Sequence, residues 1–386
     1  MSTFQYQSTF DTTSLVENRS LSTLKNPRET TATSNDSSAE PSPIGDLASF
    51  VCHIAYLEKQ LRNDTGTIFF DADSEVFGSK IDIGEGASFR VQRAGWRRKH
   101  VDTQPSSESR WGKYVALKAV RPKKDNKAVD WRDILLEVRA LLHEPLRYHP
   151  NIVRLIGLGW GPSADSASIY PQLILEFSEI GSMEALQRDN VPLPFAIKQK
   201  LCYDVGRGLS ILHACGIVHG DLTHRNVLVY KSKVNTPGLP FTAKLSDFGG
   251  SIMDMEANNK HSLRMSTWPY SAPELGHALT ADGIKKTDVY SFGILIWRTF
   301  LDCANILHTF RLTGEKTPQA EEQVLELKRN DGFLVGAKRS VYAYAASKSV
   351  REEATLMILH ALENTVQHDP AVRDLARAQW ILRGLR

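Results

Sequence analysis

The chain has 386 residues, 41% of them hydrophobic, with 47 basic and 44 acidic side chains that leave a formal net charge of +3. This length suits two or three average domains, or one large two-lobed domain with a tail, and it can bury a substantial core. The near-balanced charge does not argue for nucleic-acid or membrane-surface partners, and neither is expected. The four scattered cysteines (Cys52, Cys202, Cys215, Cys303) have the spacing of neither a disulfide framework nor a zinc site.

Residues 1–45 are rich in Ser, Thr and Asn and poor in large apolar groups, which predicts a disordered tail. Its start, Met1-Ser-Thr-Phe-Gln, lacks the basic and apolar regions of a secretory signal. The most apolar stretch, Phe292 to Leu301, is about half the length that spans a bilayer. The expected address is cytoplasmic, with a nuclear one left open. Residues 46–76 read as an N-terminal helical extension: Phe50, Ile54, Leu57 and Leu61 fall at helical spacing, and packing on the neighbouring domain is the simplest use of that stripe.

From about Ile81 the pattern turns to strand, glycine turn, strand. A polar, basic stretch with Arg97, Arg98, Lys99 and His100 then reads as a long hairpin loop. Tyr114 to Val120 is a predicted strand. Asp130 to His143 carries Trp131, Ile134, Leu135, Val138, Leu141 and Leu142 at the period of an amphipathic helix. Strands are expected at Ile152 to Leu158 and Gln172 to Phe177, and beyond about residue 190 the texture is helical apart from short strands. Gly314 to Val350, polar and charged, offers no clear pattern.

Several motifs carry chemistry. Glycines in Ile83-Gly84-Glu85-Gly86-Ala87-Ser88-Phe89-Arg90-Val91 would let backbone N–H groups approach phosphates, although such a turn is a weak signal alone. Phe89 also stands where a third glycine is usual. Lys118, in Val115-Ala116-Leu117-Lys118, is followed nineteen positions on by Glu137, at the edge of the helix's apolar stripe. A lysine held by a carboxylate stays charged and can grip phosphate oxygens. A stronger signal is Ile217-Val-His219-Gly220-Asp221-Leu222-Thr223-His224-Arg225-Asn226-Val-Leu-Val229. A carboxylate and an amide five residues apart, leading into a strand, suit a loop that orients a hydroxyl and meets a hard metal ion. Ser246-Asp247-Phe248-Gly249, then Thr267 to Glu274 ending in Ala-Pro-Glu, then Asp288-Val-Tyr-Ser-Phe-Gly293 complete an ordered set.

In that order and spacing the motifs resemble those of the eukaryotic protein kinases, from about Phe77 to the C-terminus. The His219-Gly220-Asp221-Leu222 form is similar to a divergent kinase-like group of filamentous fungi. The resemblance implies an α+β, bilobal fold over 77–386: a small β-rich lobe with one key helix over about 77–176, and a larger helical lobe over about 179–386. It implies ATP and Mg²⁺ as cofactors and a protein as substrate. Position by position, Gly84, Gly86, Val91 and Ala116 would cover the nucleotide, and Lys118 would contact its phosphates, oriented by Glu137. Leu175 falls at the gatekeeper position, with Glu176, Phe177 and Ser178 as the adenine-binding hinge. Asp221 corresponds to the catalytic base and Asn226 and Asp247 to the Mg²⁺ ligands. Glu274 would pair with Arg373, and Asp288 would brace the catalytic loop.

Two departures matter. Gly220 replaces an arginine that in many kinases receives an activation-segment phosphate, which predicts independence from that switch. Thr223 stands where serine/threonine kinases carry a lysine, and Arg225, as in the tyrosine-kinase form of the loop, is the candidate for that charge. The Thr-x-x-Tyr-x-Ala-Pro-Glu pattern at Thr267 to Glu274 resembles the serine/threonine class. The expected activity is therefore a Ser/Thr protein kinase. A tyrosine-directed enzyme, a pseudokinase scaffold and a small-molecule phosphotransferase of the aminoglycoside type remain as alternatives, and the oligomeric state is open.

Overall fold

The computed structural model describes residues 47–61, 68–69, 77–85, 89–96, 113–120, 131–162, 169–189, 192–232, 238–255, 259–263, 266–312 and 315–384. The predicted tail over 1–45, nearly all of the basic loop after Trp96, and Gly86 lie outside the described residues.

The N-terminal lobe runs α1 (Leu47–Leu61), β1 (Ile68–Phe69), β2 (Phe77–Glu85), β3 (Phe89–Trp96), β4 (Tyr114–Val120), α2 (Trp131–Leu142), α3 (Glu144–Arg147), β5 (Leu155–Pro162) and β6 (Ile169–Glu176). The strands form one sheet in the order β1-β5-β6-β4-β3-β2. Side chains alternate across a strand, and β4 uses the alternation fully. Val115 and Leu117 pack with Ala94, Ile156 and Ile174 in a small core on one face, while Ala116 joins the main core on the other and Lys118 turns with it towards α2.

Helix α2 buries Trp131, Ile134, Leu135, Val138, Leu141 and Leu142, as its period predicts. Helix α1 covers the start of α2: Phe50 is buried with its ring 5.4 Å from that of Trp131, which in turn lies 5.7 Å from Tyr170 of β6. The stretch ahead of Phe77 adds more than a helix, because β1 pairs in parallel with β5. Strand β5 begins later than its composition suggests. Ile152 and Val153 are drawn instead to Leu245, by an isolated bridge and a 2.8 Å hydrogen bond. It then continues through a glycine-rich stretch; at Gly161 any Cβ would collide with the Gln172 side chain on β6.

The C-terminal lobe comprises α4 (Met183–Asp189), α5 (Phe195–Ala214), the hairpin strands β7 (Val227–Lys231) and β8 (Phe241–Leu245), then α6 (Ala281–Phe300), α7 (Pro318–Arg329), α8 (Gly332–Lys348), α9 (Glu352–Glu363) and α10 (Leu375–Arg383). Helix α6 is buried over most of its length, with Val289, Tyr290, Phe292, Ile294, Leu295 and Trp297 in the core, while Asp282, Lys285 and Lys286 break its apolar surface near the start. Thr280 caps its N-terminus by accepting from Gly283 N. Gly314 to Val350, which showed no pattern, contains α7 and α8; Phe333, Ala337, Val341 and Ala345 form the buried stripe of α8. Among the described residues no helix is long and apolar enough to cross a membrane.

Candidate active site

The cleft between the lobes is built on Lys118. Its Nζ donates to Glu137 Oε2 at 2.6 Å and to Asp247 Oδ1 at 2.7 Å, so β4, α2 and the segment after β8 meet at one ammonium. Burial works to lower the Lys118 pKa, but the charges of Glu137 and Asp247 hold it above the ordinary value. Burial raises Glu137, against the pull of Lys118. Lys118 keeps the Asp247 carboxyl below its usual range despite burial, so it is ionised at neutral pH. The Phe89 ring lies 4.3 Å from Lys118 Nζ, a cation–π lid where the glycine pattern is broken. Val91 pairs with Lys118 across the sheet and with Gly84 on its other side. A Cβ at Gly84 would meet only ordinary contact, so packing does not demand a glycine there.

The loop from His219 to Asn226 is held from below by Asp288. Its carboxylate accepts from His219 N at 2.8 Å, Gly220 N at 3.0 Å and His213 Nε2 at 2.9 Å. Burial would raise the Asp288 pKa, but His213 and the loop N–H groups keep it low. Gly220 has φ +80°, and a Cβ there would meet Gly250 O at 2.7 Å, so both backbone and space favour glycine. His219 donates from Nε2 to Ser246 O at 3.1 Å, which leaves Nδ1 to face Asp221 N at 3.4 Å. Its ring lies 5.2 Å from that of the buried Phe248.

Asp221 receives Asn226 Nδ2 on Oδ2 at 3.0 Å and Thr267 N on Oδ1 at 3.0 Å. The amide of Asn226 is thereby aimed: Nδ2 is spent on Asp221, leaving Oδ1 as its acceptor. A carboxylate held ionised and an amide oxygen are hard donors that fit Mg²⁺, which keeps few protein ligands and fills its shell with water and phosphate.

Leu175 lies opposite Ala116 in the sheet. Glu176 turns its carboxylate away to Arg154 N, at 2.8 Å, and to Lys244, while its carbonyl accepts from Tyr230 Oη at 3.1 Å. The Ser178 hydroxyl is engaged with Gly181 and Val229, so only its backbone is left for a ligand. Arg225 is exposed on a single 3₁₀ turn, and neither carboxylate oxygen of Asp221 is met by it among the described contacts. Thr223 is buried, its hydroxyl without a partner among the described residues. Glu274 and Arg373 form the expected bidentate bridge, Nη2 to Oε2 at 2.9 Å.

Two features carry no local signal in the sequence. Arg139 of α2 pairs with Asp254, beyond the Asp-Phe-Gly motif. His224 is fully buried between Tyr270 Oη at 2.8 Å and Thr299 Oγ1 at 3.0 Å.

A family model described as protein tyrosine and serine/threonine kinase matches residues 78–330, more than half of the chain. A serine/threonine-protein kinase of Arabidopsis thaliana is 30% identical over 253 residues, covering 64% of this chain and 45% of the relative. Another protein of that plant, named as a probable serine/threonine-protein kinase, is 27% identical over 311 residues, covering 78% and 66%. A protein of Acanthamoeba polyphaga mimivirus, provisionally named as a serine/threonine-protein kinase/receptor, is 31% identical over 235 residues, which is 58% of this chain. The match spans only 12% of the mimivirus relative.

Proposed function

The chain belongs to the protein tyrosine and serine/threonine kinase family, and from that premise we propose that it transfers the γ-phosphate of ATP to a Ser or Thr hydroxyl of a protein substrate. The observation that carries this reading is the double contact of Lys118 with Glu137 and Asp247, which closes the cleft around a cation fit for phosphate oxygens. Asp221 orients the acceptor hydroxyl and takes its proton late in the transfer. Lys118 neutralises charge on the nucleotide's phosphates, and the exposed Arg225 supplies positive charge on the substrate side. The backbone of Glu176 to Ser178 receives the base. Asn226 and Asp247 are the residues that would hold Mg²⁺, whose role when bound is to neutralise and orient the phosphates.

The relatives' names support serine and threonine as acceptors. The His219-Gly220-Asp221 loop supports a place in the divergent fungal group, and the catalytic unit is taken to run from about residue 77 onwards. The test is labelled phosphate transfer from Mg-ATP to a mixed Ser, Thr and Tyr peptide library. Label on Ser or Thr supports the reading, and label confined to Tyr overturns the acceptor class. No transfer, with ATP still raising thermal stability, favours the pseudokinase alternative.

A further inference from the structure

The segment from Thr267 to Glu274 is tied to the catalytic carboxylate, because Thr267 N donates to Asp221 Oδ1 at 3.0 Å. If Asp221 orients the acceptor hydroxyl, the residues after Thr267 line the approach of whatever flanks that hydroxyl. The inward polar groups of this segment are met one by one. Tyr270 O accepts from Ser291 Oγ at 2.9 Å, Tyr270 Oη meets His224 and Arg298, and Glu274 meets Arg373. Two further carbonyls, Pro269 O and Ser271 O, lie two residues apart. Both accept from the same donor, Lys328 Nζ, each at 2.6 Å.

Lys328 sits in the last turn of α7 and is 3% exposed. Its amine lies 5.3 Å from the Tyr290 ring centroid and 5.1 Å from that of Phe333. Among the described residues no carboxylate pairs with it, since Glu274 is engaged by Arg373. Burying a lysine costs rotamer freedom and charge solvation, and a methionine would fill similar space. What the lysine adds is one donor group shared by two carbonyls of the segment. Burial lowers its pKa to about 7, with Glu274 opposing and Arg373 reinforcing the shift. The amine keeps two N–H donors in either protonation state, so both carbonyls stay satisfied through neutral pH.

We propose that Lys328 is a positioning residue for the substrate-side segment Thr267 to Glu274, setting affinity for the protein substrate and discrimination beside the acceptor while leaving nucleotide affinity unchanged. The substrate clause rests on the kinase reading above. The positioning clause does not.

The test compares wild type, Lys328→Met and Lys328→Gln as full chains, reading KM for a Ser/Thr peptide and for ATP separately, with amide hydrogen exchange over 267–274. Lys328→Met is expected to raise the peptide KM about tenfold, leave the ATP KM unchanged, and speed exchange in 267–274 but not in β7. Lys328→Gln, which retains two N–H donors, is expected to recover part of each effect. Unchanged peptide KM and unchanged exchange would overturn the proposal, as would an equal rise in both KM values. If wild type transfers no phosphate, the kinase reading falls and the exchange comparison alone decides whether Lys328 positions the segment. If Lys328→Met does not fold, Lys328→Gln carries the comparison.

Discussion

Arg139 of α2 donates to Asp254, in the segment beyond Asp247, at 2.6 Å. The same helix carries Glu137, so a carboxylate built into the chain ties the segment to the helix that orients Lys118. Gly220 stands at the loop position where many kinases carry the arginine that receives a phosphate. Phosphatase treatment that strips Ser262, Ser266 and Thr267 is therefore expected to leave turnover unchanged. Arg139→Ala should lower turnover no more than about fivefold, because a half-exposed ion pair contributes about 1 kcal/mol or less. Activity that vanishes on dephosphorylation would refute the phosphate-independent reading.

Helix α1 is part of the core. Phe50 is 1% exposed and packs on Trp131 at the start of α2. Truncating a buried phenylalanine costs about 3–5 kcal/mol through lost burial and the cavity left behind. Phe50→Ala should lower the urea midpoint accordingly, whereas a loss under about 1 kcal/mol would mean that α1 docks only loosely.

His224 yields a pH prediction. Thr299 Oγ1 donates its own proton to Leu295 O at 2.7 Å, so it accepts from His224 Nε2, and Nδ1 is left to accept from Tyr270. The imidazole is thereby held neutral. Burial, with Arg298 adding to it, pushes its pKa well below the usual 6.5. As pH falls below about 6.5 the unfolded chain takes up a proton that the folded one refuses, so stability falls with pH. One proton accounts for about 1.4 kcal/mol per pH unit at most. Urea titrations of wild type and His224→Gln between pH 7 and pH 5 should differ in slope by up to about that amount, and identical slopes would contradict the assignment.

Much of this arrangement is legible in the sequence because it is local. Tyr114 to Val120, a short, nearly continuous apolar run, is the observed β4, and the apolar period of α2 brackets the observed helix closely. The site motifs are legible for the same reason: Asp221 and Asn226 sit on one short loop whose spacing is set by their chemistry. What escapes is set by distant partners. Ile152 leaves its expected strand because Leu245 claims it. Arg139 and Asp254 are 115 positions apart, and nothing near either names the other. Lys328 lies on a polar helix where only the fold reveals that its amine turns inward, and Phe89 becomes a lid only once Lys118 lies beneath it. Arg225 is legible in the sequence as a charge on the loop, and only the fold shows that it is exposed.

The most direct test of the kinase reading is phosphate transfer by wild type and Asp221→Asn, each checked for ATP-induced thermal stabilisation. Asp221 is not among the groups proposed to grip the nucleotide, so ATP should still stabilise the variant, with any weakening traced to the acceptor lost to Asn226 or Thr267. With proton acceptance and hydroxyl orientation removed, its turnover should fall by about a thousandfold. Transfer by Asp221→Asn at a rate near that of wild type would contradict the account.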